Sequence, residues 1–238
     1  MILRARAGRS TRHFVWAAVV SGLAAGTKYN GVLLFCPLLV VVAEVALSTP
    51  GGSFLRRARK PFASFLIPFG AAFLASTPYA LLDLHKFLSD VKTQGEVFRD
   101  GHMFPVEHAW WYHLPVTLLH GLGWPLLAAS VLGFVVLAFQ DRRKFLLFAS
   151  FPLAYYVVAG SGQTVMWRYV DPLLPFLALG AAFGTSWLAE RLARVLRAGR
   201  AVPEGSIRIA LALAVVFPSV RSVIAFGRET SPRYLVRP

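Results

Sequence analysis

Three short segments of the chain carry residues that can bind phosphate or transfer a proton. A lysine ammonium binds phosphate as a point charge, whereas an arginine guanidinium offers a planar fork of donors. A carboxylate can take a proton from an acceptor hydroxyl, and nearby cations stabilise a departing phosphate. These residue types suit the transfer of a group from a phosphate-linked donor. The candidates for substrate binding are Lys28, Tyr29, Asp83, Arg168 and Tyr169.

Each charged candidate also has an ordinary structural interpretation. Lys28 can extend from the end of a short helix to the membrane surface. Asp83 can be a charge at a helix end, and Arg168 can form an ion pair with Asp171. Asp171 and Pro172 together are expected to open the next helix as its cap and first turn. The sequence leaves both interpretations open at each position.

A metal site is a weaker alternative in the same region. Residues 83–113 contain several carboxylates and imidazoles, but their spacing does not match a compact ligand motif such as His-Glu-x-x-His. The sequence therefore indicates no definite cofactor and leaves a divalent metal open. The candidate ligands are Asp83, His85, His102, Glu107 and His108.

The composition indicates which solvent surrounds the chain. Its 238 residues have a net charge of +14, yet 56% of them are hydrophobic and only 15% are charged. A disordered polycation would contain fewer apolar residues, and a soluble basic domain would need more charged surface. The basic clusters alternate with apolar runs and form no basic face with stacking aromatics. We therefore expect membrane lipids, and no nucleic acid, as partners.

Seven apolar runs predict an all-α polytopic membrane protein with about seven transmembrane helices. A helix needs about 20 residues to cross the hydrocarbon core of about 30 Å, and proline inside such helices is tolerated. We expect one transmembrane domain over residues 1–238. The runs cover residues 14–27, 30–47, 61–82, 114–139, 145–160, 171–189 and 207–226.

Clusters of basic residues determine the predicted topology. The positive-inside rule places such clusters on the cytoplasmic side, so the number of crossings between two of them is even. The apolar stretch between the first two clusters must then form two short helices with an outward turn at residues 26–31. The cytoplasmic clusters lie at residues 4–12, 56–60, 142–144 and 191–208.

This topology puts all candidate substrate-binding residues on the outer side. Lys28 lies at the tip of the first outward turn, and Arg168 lies in a later outward hairpin. The external loop 83–113 begins at Asp83 with apolar residues at the spacing of an amphipathic helix, which we expect on the outer membrane surface. Residues 106–113 are rich in aromatic side chains, which is typical of a belt at the headgroup level.

Three segments resemble parts of the GT-C glycosyltransferases, in particular the bacterial protein-mannosyltransferase and aminoarabinose-transferase-like branch. They occur in the family's order and span most of the chain. The resemblance implies an all-helical enzyme of the bacterial plasma membrane that transfers a sugar from a polyprenyl-phosphate donor to an acceptor on the outer face. The segments are GLAAGTKYNGVLL at 22–34, STPYALLD at 76–83 and RYVDPLLP at 168–175.

The resemblance also implies where the substrate binds and what is missing. Lys28, Asp83, Arg168 and Tyr169 are expected near the donor phosphate or the cavity wall. The family's acidic catalytic residues lie in a first external loop upstream of the segments that match, so no catalytic residue is assigned here. We expect the chain to be a carboxyl-terminal part of such an enzyme. The alternative is a non-enzymatic membrane protein such as a lipid-linked-sugar transporter or an assembly subunit, although few charges fall at the bilayer midplane.

Overall fold

The protein is all-helical in the part that the computed structural model describes, namely residues 11–100, 106, 109–196 and 203–234. This confirms the predicted fold class. Segments of 3₁₀-helix lie at Tyr29–Leu34, Trp167–Tyr169 and Asp171–Leu173, and π-helix at His113–Leu118 joins α6 to α7. The α-helices are α1 Thr11–Thr27, α2 Phe35–Ser48, α3 Phe54–Ser76, α4 Tyr79–Leu82, α5 Leu84–Asp100, α6 Ala109–Tyr112, α7 Leu119–Leu122, α8 Trp124–Gln140, α9 Arg142–Ser161, α10 Leu174–Leu196 and α11 Glu204–Tyr234.

Four helical stretches in the described residues are long and apolar enough to cross a membrane. A fifth candidate is the pair Ala109–Leu122 and Trp124–Gln140, whose axes differ by 110° across a short break. The fold is therefore compatible with a multipass membrane protein, and the predicted count of about seven spans is not confirmed. The four stretches are Tyr29–Ser48, Arg142–Ser161, Asp171–Leu196 and Gly205–Ala225.

Two of the seven predicted runs lie in helices that are not among these candidates. The run 14–27 lies in α1, of which the structure describes the 17 residues Thr11–Thr27. The run 61–82 lies in α3, which ends at Ser76. The peptide Thr77-Pro78 ends that helix because the residue before proline disfavours helical geometry. With four basic residues in its first turns, the apolar part of α3 covers about 24 Å.

The chain divides into two compact units, so the prediction of a single transmembrane domain stays a prediction. Unit 1 comprises Met1–Glu107 and Arg143–Thr164, and unit 2 comprises His108–Arg142 and Val165–Pro238. In unit 1, α1 and α2 pack on α3 around a core of phenylalanines and aliphatic side chains. The ring of Phe35 meets those of Phe65 and Phe69 at 4.7 and 4.5 Å between centroids.

Unit 2 is built on a close contact between α8 and α10. A Cβ at Gly133 would overlap the backbone carbonyl of Gly180, and a Cβ at Gly184 would overlap that of Ala129. Small residues four apart let two helix backbones approach closely, which is the usual way in which membrane helices pack. Ser130 in α8 donates its hydroxyl to the carbonyl of Leu177 in α10 at 2.7 Å.

Helix α11 packs on α10 and α8 with one face and leaves the rest of its surface exposed. Its membrane-length stretch Gly205–Ala225 contains no buried residue. Ser219 donates a hydrogen bond to the carbonyl of Leu122, and Arg208 forms an ion pair with Glu190 of α10. The exposed apolar side chains of α11 suit contact with lipid.

Candidate functional site

The turn predicted at residues 26–31 is present in unit 1. Helix α1 ends at Thr27, and Lys28 has extended backbone angles (φ −150°, ψ 121°) before the chain enters the 3₁₀ segment. The chain folds back so tightly that a Cβ at Gly31 would lie 2.7 Å from the carbonyl carbon of Ala24. Only glycine fits there. The side chain of Lys28 is exposed at the tip of this turn.

Gly26 lies where two of the three segments that resemble the GT-C glycosyltransferases meet. A Cβ at Gly26 would overlap the Ser76 hydroxyl and lie 3.0 Å from Oγ1 of Thr77. The turn around Lys28 therefore lies against the carboxyl end of α3. Thr77 Oγ1 is buried there and has no hydrogen-bond partner among the described residues. Segments 22–34 and 76–83, separated by 41 residues of the chain, meet at this end of unit 1.

Tyr29 connects the turn to α5. Its ring meets that of Phe87 edge-on at 5.8 Å between centroids, and Phe87 also contacts the ring of Phe73 at 6.4 Å. Tyr29 is still 46% exposed. The exposed Tyr29 follows the exposed Lys28 directly in the chain, while its ring packs on the first turn of α5.

Asp83 has a structural role in the first turn of α5. Its Oδ1 accepts a hydrogen bond from the backbone N–H of Lys86 at 3.0 Å, and its carbonyl accepts one from the N–H of Phe87 at 2.9 Å. This is the geometry of a helix N-cap, for which aspartate is a preferred residue. The side chain remains exposed. The helix-end interpretation thus explains one carboxylate oxygen, Oδ1, while Oδ2 has no hydrogen-bond partner among the described residues.

The amphipathic helix predicted in the external loop is observed as α5, with no buried residue along it. The carboxyl end of α5 is held by the segment after α9. Thr164, only 1% exposed, donates its hydroxyl to the carbonyl of Val97 at 2.6 Å. The N–H groups of Gln163 and Thr164 bond to the carbonyl of Phe98 at 3.2 and 3.3 Å. A Cβ at Gly162 would lie 2.5 Å from that carbonyl oxygen.

Sequence reasoning missed these anchoring residues. Thr164 and Gly162 carry no charge and belong to no motif, and no periodicity marks them. Their role depends on a contact between segments more than sixty residues apart. The only local signal is the glycine itself, which permits close approach of another backbone.

Arg168 and Tyr169 belong to unit 2. They lie in a 3₁₀ turn in which Tyr169 N–H bonds to the carbonyl of Met166 at 2.9 Å, and Arg168 is exposed. Among the described residues, Arg168 forms no ion pair with Asp171. Asp171 and Pro172 lie in the first turn leading into α10, as predicted, but Val170 occupies the capping position. A phosphate pocket shared by Lys28, Asp83 and Arg168 stays a prediction.

A metal site finds no support in the part of the chain that is described. Asp83 and His85 are both exposed, and no three potential ligands come together among the described residues. The other candidate ligands, His102, Glu107 and His108, lie outside the described residues. The two alternatives from the sequence, no cofactor and a divalent metal, therefore both stay predictions.

The predicted aromatic belt differs from the structure at its last residue. Trp111 is 73% exposed, as a residue at the headgroup level should be, but His113 is fully buried. His113 Nδ1 lies 3.1 Å from the hydroxyl of Thr117 within the π-helical segment. A π-turn widens the helix and turns His113 inward, which an alternation of polar and aromatic residues does not predict.

The chain was compared with protein families, curated proteins and solved structures. No protein-family model, no curated protein and no solved structure matches the chain.

Proposed function

We propose that this chain is part of a membrane glycosyltransferase of the GT-C type, which uses a polyprenyl-phosphate-linked sugar. The observation that carries the proposal is the contact of Gly26 with Ser76 and Thr77. It joins two segments that contain candidate substrate-binding residues and that also resemble the family. A shared site is the simplest reason for two such segments to meet.

The chemistry at this end of unit 1 suits a lipid phosphate. Lys28 supplies a cation at the tip of a glycine-flanked turn, and Tyr29 supplies a hydroxyl donor beside it. Both belong to the same end of the unit as Asp83, through the contact of Tyr29 with α5. In the proposed enzyme, Lys28 holds the donor phosphate, and Asp83 orders the start of α5 beside it.

Exposed apolar side chains around Asp83 suit the hydrocarbon part of the donor. Tyr79, Leu81 and Leu82 of α4 and Leu84 and Leu88 of α5 are all more than half exposed. Such a patch next to a cation matches a ligand with a long apolar chain and an anionic head. A water-soluble nucleotide sugar would not use this patch.

Binding of polyprenyl phosphate by the full chain in detergent micelles tests the proposal. The matched ligand control is the corresponding polyprenol, which lacks only the phosphate. We expect Lys28→Ala to weaken phosphate binding about tenfold, since a hydrogen bond to a charged group contributes about 1.5–3 kcal/mol, and to leave polyprenol binding unchanged. Arg168→Ala is expected to act in the same direction.

The matched variant control is Lys86→Ala, which removes an exposed lysine already paired with Asp90. An equal loss of polyprenyl-phosphate binding in Lys28→Ala and Lys86→Ala would mean that binding depends only on the overall charge of the protein. Equal affinity for polyprenol and polyprenyl phosphate would remove the phosphate site and the transferase proposal with it.

One observation favours transport of a lipid-linked sugar as the second candidate function. The 110° break between Ala109–Leu122 and Trp124–Gln140 is centred on Gly123, which has a φ of +76°. Discontinuous helices at substrate sites are common in transporters. A transporter would move a labelled lipid-linked sugar between the leaflets of a vesicle, and the transferase would not.

A further inference from the structure

Unit 2 contains an open groove of about 470 Å³ between α10 and α11. Along α11 it extends from Arg208 to Val216, and along α10 from Ser186 to Ala178. Since the two helices run in opposite directions, Arg208 and Ser186 lie at one end and Val216 and Ala178 at the other. Eight residues of helix correspond to about 12 Å, which is less than half of a hydrocarbon core of about 30 Å. The groove is therefore one leaflet deep.

Polar and apolar groups are separated along this groove. Arg208, Thr185 and Ser186 are its polar lining residues, and all three lie toward the same end. The remainder is lined by alanine, valine, leucine and isoleucine side chains. A ligand that matches this lining has a polar head at one end and a hydrocarbon chain at the other.

The polar end of the groove carries an excess of positive charge. Arg208 reaches across it to Glu190 of α10, with 3.1 Å between Nη2 and Oε1. The next turns of α10 add Arg191, which lies 5.1 Å over the ring of Trp187, and Arg194, whose Nε donates to the carbonyl of Glu190. Among the described side chains at this end of the groove, three arginines therefore lie near one carboxylate, that of Glu190. Trp187 at the same level is typical of a membrane interface.

The positive-inside rule assigns this end to the cytoplasmic side, where anionic lipids concentrate. The groove is lined mostly by small and branched apolar side chains and has a single basic end. An acyl chain fits a groove that is open to the bilayer along its length.

We propose that the groove between α10 and α11 binds an anionic phospholipid of the cytoplasmic leaflet. The headgroup phosphate contacts Arg208 beside Glu190, and one acyl chain lies along Ala212 and Val216 toward the midplane. This site is separate from the one proposed for the donor phosphate and does not depend on it. Its ligand holds α11 to α10, because α11 has no buried residue of its own across its membrane-length stretch.

Native mass spectrometry of the full chain tests the proposal. The protein is equilibrated with nanodiscs of equal phosphatidylglycerol and phosphatidylcholine with identical acyl chains, and the lipids retained after transfer to detergent are counted. We expect preferential retention of phosphatidylglycerol. Arg208→Gln should lower it about fivefold, and Arg208→Lys should keep most of it. Glu190→Gln should raise it, since the competing carboxylate is gone.

Phosphatidylglycerol retention is expected to fall in Arg208→Gln and to rise in Glu190→Gln. Both variants break the ion pair, so a purely structural role of that pair would change retention in the same direction in both. Ala212→Trp fills the apolar part and should reduce retention of both lipids. If that variant does not fold, Ala212→Leu replaces it. The matched controls are Arg221→Gln and Ala214→Trp, which change exposed residues of the same helix outside the groove.

Two results would overturn the proposal. One is unchanged phosphatidylglycerol retention in both Arg208→Gln and Ala212→Trp. The other is a change from dimer to monomer in Ala212→Trp with no loss of lipid, which would mean that a second copy covers the groove. Polyprenyl-phosphate binding, measured with the Lys28 variants, reports separately on the proposed function.

Discussion

The rings of Tyr29 and Phe87 meet at 86° with their centroids 5.8 Å apart. This contact joins a turn between two short helices to a helix with no buried residue of its own. Edge-to-face aromatic pairs contribute about 0.5–1.5 kcal/mol beyond their buried area. The position of the amphipathic helix α5 at the candidate site therefore depends on this pair and on the hydrogen bonds at the other end of the helix.

Phe87→Ala is expected to release the first turn of α5. The loss of two ring contacts should lower the local opening free energy by about 1–2 kcal/mol. Amide hydrogen exchange in residues 84–92 would then be faster. Leu88→Ala, at a neighbouring and more than half exposed position, is the control. Equal exchange in the two variants would mean that the aromatic contact does not hold the helix.

Thr164→Val is expected to release the other end of α5. The variant keeps the shape of the side chain but removes the hydroxyl that donates to the carbonyl of Val97, at a cost of about 0.5–1.5 kcal/mol. Thr93→Val removes a hydroxyl that bonds within α5 on an exposed surface. Limited proteolysis near residue 100 should be faster in Thr164→Val only. Similar rates in both variants would contradict the anchoring role.

Gly22→Ala is expected to destabilise unit 1. A Cβ there would overlap the backbone carbonyl of Phe69, so α1 must move away from α3 at a cost of about 1–3 kcal/mol. Gly70→Ala places the same methyl group in α3 where no atom lies within 4 Å. Since alanine has the higher helix propensity, Gly70→Ala should be neutral or stabilising. Thermal unfolding in detergent measures the midpoint temperature of both variants. A midpoint for Gly70→Ala below that of the unchanged protein would count against this packing.

A comparison of Asp83→Asn with Asp83→Ala distinguishes the helix-capping role of Asp83 from the role of its negative charge. Asparagine caps a helix about as well as aspartate, whereas alanine costs about 1 kcal/mol. Helix content and exchange in α5 should therefore change in Asp83→Ala only. If polyprenyl-phosphate binding or transfer changes in Asp83→Asn, the carboxylate itself acts at the site. If neither variant changes α5, the N-cap assignment is wrong.

Labelling of single cysteines tests the predicted topology. In a Cys36→Ser background, cysteines at positions 28 and 168 should react with a membrane-impermeant maleimide from the same side of the membrane. A cysteine at position 143 should react from the other side. Reaction of positions 28 and 168 from opposite sides would exclude a common outer pocket.

The turn at residues 26–31 shows what local sequence can predict. Gly26, Lys28, Asn30 and Gly31 interrupt an apolar stretch between two basic clusters, so charge and hydropathy alone locate the turn. The amphipathic helix follows in the same way from the spacing of Leu84, Phe87, Leu88 and Val91. The predicted number of spans is not confirmed. An apolar run does not show where a helix ends, and the run 61–82 is divided by the end of α3 at Ser76, before Pro78.

By itself, the sequence predicted the all-helical class, helices apolar enough to cross a membrane, the first turn and the amphipathic helix α5. These properties depend on composition and on patterns within one helix, which every local window contains. Only the tertiary structure decided that Gly26 meets Thr77, that Thr164 holds α5, that His113 is buried and that Arg208 lies at the end of an apolar groove. Such contacts join residues far apart in the chain, and they depend on how helix surfaces fit together, which no local pattern encodes.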